Sequence, residues 1–105
     1  MNNVIDTKDL ITFGEEFPKI LINNTAYEVN DLKETADKID EVLKSTDENI
    51  DKDREVLVLA LGEKAVEEIE ALKLKTKGYT NLVKLVMATI QGITFEEFNK
   101  NIEKN

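Results

Sequence analysis

Val56-Leu57-Val58-Leu59-Ala60-Leu61-Gly62-Glu63-Lys64-Ala65-Val66 decides how this chain folds. Six apolar residues run unbroken into Gly62, and the apolar pattern then resumes at helical spacing through Ala65, Val66, Ile69 and Leu72. A run with no polar face asks for burial on several sides. A strand is the rival reading of residues 56–61, because β-branched residues are present and the run is short. Helix is preferred, since no turn signal separates the run from Arg54-Glu55. Gly62 is expected to close that helix in the left-handed conformation, and a second helix to turn back over it.

Upstream of this centre the chain is acidic. Asp31-Leu32-Lys33-Glu34 reads as a capping box that opens a helix over residues 32–44. Its apolar residues Leu32, Ala36, Ile39 and Leu43 fall on one face, and its charges fall mostly on the other. Ser45-Thr46-Asp47 breaks the pattern. The next helix is expected to start there and to run through the apolar stretch to Leu61. Asp47, Glu48, Asp51 and Asp53 suit the positive end of its dipole.

Further back, Lys19-Ile20-Leu21-Ile22 and Ala26-Tyr27-Glu28-Val29 have the β-branched and aromatic content of two strands. Asn23-Asn24-Thr25 lies between them, and Asn tolerates the left-handed backbone of tight turns. Alternation puts Ile20 and Ile22 on one face, and Tyr27 and Val29 on one face of the partner strand. A lone hairpin is marginal in water, so this one must lie on the helices or gain another strand. Residues 1–18 read as an irregular arm, in which Asp9-Leu10-Ile11-Thr12-Phe13 suits a short edge strand or an extended segment.

Downstream of Gly62, a helix over residues 64–75 turns Ala65, Val66, Ile69 and Leu72 inward, and Lys77-Gly78 is expected to stop it. Thr80 is expected to cap a fourth helix, in which only Lys84 and Thr89 are polar between Leu82 and Ile90. After Gly92, Thr94-Phe95-Glu96-Glu97 looks like a fresh cap, and Phe95, Phe98 and Ile102 line a last helix. The expectation is therefore a mainly α fold: one domain over residues 1–105, with an arm (1–18), a hairpin (19–30) and four to five helices (31–105). Leu57, Leu61, Ile69, Leu72, Leu85 and Ile90 are its expected core.

Composition narrows the function classes. Charged residues are 34% of the chain, above the usual roughly 25%, and the net charge is −8. Residues 1–62 hold fifteen acids and seven bases, while residues 63–105 hold seven of each, so the charge sits in the first part. Such a surface repels phosphate, so neither nucleic acid nor an anionic membrane is an expected partner. The longest apolar run is far short of the roughly 20 residues that cross a bilayer. Met1-Asn2-Asn3-Val4-Ile5-Asp6 has neither the basic region nor the apolar core of a signal peptide. A cytoplasmic protein is expected.

The chain has no Cys and no His, so the common nucleophile–base pairs and thiolate metal sites are missing. The four glycines are isolated, which leaves no phosphate-binding loop. Asp47, Asn49 and Asp51 match the first three ligands of a calcium loop. Lys52 then stands where that loop needs Gly, and Val58 where it needs a bidentate Glu. No catalytic residue, cofactor or metal is expected. What stands out is apolar surface beyond the needs of one core: residues 56–61 and 82–90 are both apolar around most of a helix.

The hairpin Ile22-Asn23-Asn24-Thr25-Ala26-Tyr27-Glu28-Val29, the acidic helix after it, Leu61-Gly62-Glu63, and the apolar helix 82–90 together resemble the tail assembly chaperones of long-tailed phages and prophages of Firmicutes. The resemblance spans about residues 17–98 and describes a layout, not a reactive site. Where such hairpins often have Asn-Gly, this chain has Asn23-Asn24. The resemblance implies a small helical protein of the host cytoplasm that coats the tape-measure protein, helps recruit major tail protein, and associates with itself. The family has no catalytic residues to carry over. Leu82, Val86, Met87 and Ile90, with Phe95 and Phe98 beyond Gly92, are the expected partner-binding side chains. Two alternatives stay open: a small acidic helical module of regulatory or inhibitor type that blocks a basic enzyme, and a helical regulator that binds nucleic acid through the third and fourth helices, which the net charge opposes and for which Lys73-Lys75-Lys77 is the basic cluster.

Overall fold

The structure, a computed structural model, describes Val4 and residues 16–103. Strands β1 (Lys19–Ile22) and β2 (Thr25–Glu28) form an antiparallel hairpin. Five helices follow: α1 (Lys33–Lys44), α2 (Lys52–Leu61), α3 (Glu63–Ala71), α4 (Thr76–Gln91) and α5 (Phe95–Glu103). The fold is mainly helical with an N-terminal hairpin, as the pattern of the chain predicts. The edge strand considered for Asp9 to Phe13 lies outside the described residues.

The hairpin closes through two residues. Asn23 and Asn24 both have positive φ, 49° and 67°, the backbone that matches the twist of the flanking strands. Asparagine reaches it without the glycine that such turns often use. The register pairs Ile20 with Tyr27 and Ile22 with Thr25, so these side chains share the face turned to the helices, and Leu21 and Ala26 take the other. Beyond the strands, the Val29 N–H donates to the Pro18 carbonyl at 2.8 Å, and the Asn30 N–H donates to the Ala60 carbonyl at 2.8 Å. The second bond satisfies a carbonyl in the last turn of α2, where no helical partner remains. It ties the hairpin to the central helix. Contact with the helices and the neighbouring Glu68 carboxylate on α3 both push the Tyr27 phenol pKa up.

Helix α2 packs against α1, α3 and α4. Val56, Leu57 and Ala60 are buried, and Val58, Leu59 and Leu61 are half-buried against the same cluster. The apolar run is thus a helix surrounded on several sides. It begins later than expected. Asp51 is the N-cap, its carboxylate accepting from the Arg54 N–H at 3.2 Å, and Asp53 and Glu55 occupy the first turn. Residues 45–50 instead form turns held by their own side chains, with the Asp47 N–H on Ser45 Oγ (3.2 Å) and the Asn49 N–H on Asp47 Oδ1 (2.9 Å). Such local bonds compete with helix. The Lys52 ammonium closes the end of α1 by donating to the Leu43 carbonyl at 3.1 Å.

Three other expected details are corrected. The start of α1 is not a capping box: Leu32 is its N-cap, and Asn30 Oδ1 accepts the Leu32 N–H at 3.1 Å instead. Helix α3 ends at Ala71, because Lys73 takes the left-handed conformation at φ 55°. Leu72 is therefore 39% exposed and not core. Gly78 stops nothing and lies within the first turn of α4, which begins at Thr76 before Thr80 can cap it.

The α2–α3 junction is one residue. The Gly62 N–H donates to the Val58 carbonyl (2.9 Å), and its carbonyl accepts from the Val66 N–H (3.1 Å), so Gly62 ends one helix and starts the next. Its φ of 93° and ψ of 152° lie outside the left-handed helical region expected for it. Across the junction, Arg54 at the start of α2 grips Glu70 near the end of α3 through two bonds, Nε to Oε2 (3.0 Å) and Nη2 to Oε1 (3.3 Å). That bidentate bond raises the Arg54 pKa further. Half-buried Tyr79 reaches the same cluster from α4. Burial and the carboxylates of Asp51, Glu70 and Asp53 push its pKa up.

At the far end, Gly92 is left-handed (φ 73°), and the Ile93 N–H donates to the Ala88 carbonyl at 3.0 Å. This terminates α4 as expected of glycine. Thr94 caps α5 as expected: the Glu97 N–H donates to Thr94 Oγ1 (3.1 Å), and the Thr94 hydroxyl donates to Glu97 Oε1 (3.3 Å).

Candidate protein-binding surface

Helix α4 has more apolar circumference than the core uses. Leu82, Val83 and Val86 form its buried stripe in the main cluster. The helical repeat of 3.6 residues places Met87, Ile90 and Gln91 on one side of that stripe, and Gly78, Asn81, Leu82 and Leu85 on the other. Each side walls a depression.

The smaller, about 120 Å³, lies between α1 and α4 and is lined by Ala36, Ile39, Asp40, Leu43, Met87, Ile90 and Gln91. On its rim Asp40 pairs with Lys44 at 2.8 Å. The larger, about 480 Å³, lies where the hairpin turn, the α3–α4 connection, α4 and the start of α5 meet. Leu21, Ile22, Leu74, Leu82, Leu85 and Phe95 supply its apolar lining. Leu21 is 70% exposed, an aliphatic side chain on the solvent face of its strand.

The six side chains expected to bind a partner divide accordingly. Met87 and Ile90 line the small groove, and Leu82 and Phe95 line the large cleft. Val86 and Phe98 line neither depression and are buried, whereas Leu82, also 7% exposed and part of the core, borders the large cleft. The reason is packing. α4 lies on α2 and α5 on α4, so these two side chains are spent within the chain. Leu21, Ile22, Leu74 and Leu85 are cleft residues that the sequence reading did not place there. Leu21 was legible in principle, since the alternation that turns Ile20 and Ile22 inward turns Leu21 outward. Leu74 was not, because it sat inside the longer α3 that Lys73 cuts short.

Other chemistry is sparse. Among the described residues no three acidic side chains converge as a cation site, and in the stretch tested for calcium Asp47 Oδ1 and Asp51 Oδ1 each accept a backbone N–H. No buried side-chain nitrogen or oxygen among the described residues lacks a hydrogen-bond partner. No described helix is long and apolar enough to cross a membrane. Comparisons with protein-family models, with curated proteins and with solved structures each find no match.

Proposed function

We propose that this protein works by binding other proteins and not by catalysis, as a tail assembly chaperone that holds the tape-measure protein in the host cytoplasm while a phage tail is built. The observation that carries this reading is the pair of apolar depressions on either flank of α4. A tape-measure chain is long and presents apolar helical stripes until a tube encloses it. Many shallow apolar contacts suit a cover that must later be shed. Met87 adapts to varied shapes, and Phe95 supplies area. Val86 and Phe98 support these walls from beneath. The acidic exposed faces of α1 and α2 keep the assembly dissolved. Recruitment of major tail protein and self-association belong to the same proposal.

Co-expression tests it. Wild-type protein should keep a tape-measure protein in the soluble fraction and co-purify with it. Met87→Asp and Phe95→Asp, each confirmed as folded by its thermal melt, should lose it. Phe98→Asp is a poor probe, because a charge at that buried position unfolds the chain. If wild-type protein binds neither itself nor the tape-measure protein, the chaperone reading fails. The second reading, a regulatory or inhibitor-type module, draws on the exposed carboxylates Glu34, Asp37, Asp40 and Glu41 along α1. It would show as a tight one-to-one complex with a basic enzyme.

A further inference from the structure

The large cleft lies in an exceptional part of the charge distribution. Residues 71–95 contain four lysines and no acid, in a chain whose net charge is −8. Three of those lysines, Lys73, Lys75 and Lys77, are exposed and bracket Leu74, which lines the cleft. Among the described residues none of the three has an ion-pair partner, unlike Lys33, Lys44 and Arg54, which each hold a carboxylate. The first turn of α4, which brings Gly78 to the cleft wall, contains no acid and has no side-chain cap. The positive end of that helix dipole thus adds to the lysines. Lys73 and Lys75 adjoin the lining residue Leu74 along the chain, and Lys77 adjoins the lining residue Gly78, so a largely apolar cleft has basic neighbours on an otherwise acidic protein.

We propose that this cleft is a docking site for an acidic amphipathic helix of a partner protein, with apolar residues seated on Leu21, Leu74, Leu82, Leu85 and Phe95 and flanking Asp or Glu side chains set against Lys73, Lys75 and Lys77. The inference rests on the protein-binding reading above only in that its occupant is a protein. Charge complementarity selects the occupant. A helix flanked by lysine meets like charge beside the cleft, whereas one flanked by carboxylates meets free ammonium groups. The floor is aliphatic apart from Phe95, which favours leucine-type anchors laid along a groove over stacked bases.

Two synthetic helical peptides of about 18 residues, with identical leucine stripes and either glutamate or lysine flanks, test this against the full chain by backbone-amide chemical shifts. The glutamate peptide should shift the amides of Leu21, Leu74, Gly78, Asn81 and Leu85, and added salt should weaken it. The lysine peptide should leave them unmoved. A K73E/K75E/K77E variant, altered only at exposed positions, should bind the glutamate peptide about tenfold more weakly and the lysine peptide better. Equal binding of both peptides, or shifts centred on another surface, overturns the proposal. So does a single-stranded oligonucleotide that moves these amides where the glutamate peptide does not. Concentration-dependent shifts at the cleft together with dimer formation in sedimentation would assign it to a second copy. Changes at the cleft on Phe13→Asp without any peptide would assign it to the chain's own first residues. Either result overturns the external partner. A bound glutamate peptide with no retention of the tape-measure protein would instead sink the chaperone reading and leave this one standing.

Discussion

Leu57→Ala should lower the free energy of unfolding by about 2–5 kcal/mol, the range for deleting a fully enclosed leucine. Leu57 has 0% exposure and sits on the helix that α1, α3 and α4 surround. Such a helix cannot collapse into the cavity from one side without opening a gap on another. Leu61, one turn on, is half-buried, so Leu61→Ala removes less enclosed surface and should cost about 1–2 kcal/mol. Urea titrations of the two variants beside wild type measure both, provided the slopes agree. A larger loss at Leu61 than at Leu57 would mean that the core is centred nearer the α2–α3 junction than on the middle of α2.

Gly62→Ala should cost about 1–3 kcal/mol although nothing crowds the site. A Cβ placed there meets no atom within 4 Å, so the whole effect comes from the backbone. At φ 93° and ψ 152° an L-residue is strained whatever its side chain. Gly92 gives the internal control. Its φ of 73° and ψ of 26° lie in the left-handed helical region, which asparagine visits readily. Gly92→Asn should therefore be nearly neutral, and Gly62→Asn should be as damaging as Gly62→Ala. Thermal melts of the three variants decide this. Equal tolerance of Asn at both sites would show that Gly62 relaxes into the ordinary left-handed conformation.

How much of this was legible beforehand follows from range. The apolar run at residues 56–61, the alternation in Lys19–Ile22 and the cap at Thr94 are local signals, and each produced the expected element. Asn23-Asn24 proved sufficient for a two-residue turn without glycine. Boundaries failed where several adjacent residues offered rival caps. Asp47 and Asp51 are both plausible N-caps, and the bond from the Asn49 N–H to Asp47 commits the first of them to a turn. The end of α3 was missed because nothing about a lysine announces φ 55° at Lys73. That one conformation moves Leu72 out of the core and brings Leu74 to the cleft. The cleft itself was not legible, because its walls come from a strand, a connection and two helices far apart in the chain.

The packing of α2 on its neighbours in the sequence has a kinetic side. β1 lies on β2, α1 on α2, α2 on α3 and α4 on α5, each pair adjacent along the chain. The packing of α4 on α2, the bond from Asn30 to Ala60 and the approach of Tyr27 to Glu68 close longer loops. Chains dominated by local pairs pay little loop entropy before contacts reward them, and they fold in roughly microseconds to milliseconds. Refolding by rapid mixing should therefore be complete within about a few milliseconds in water, with the meeting of α2 and α4 as the slow step. Val86→Ala, which thins that meeting, should slow refolding more than a change in α5 of equal cost. If the chain is made beside a partner that it must cover at once, speed of this kind leaves the newly made protein little time as exposed, unpacked chain.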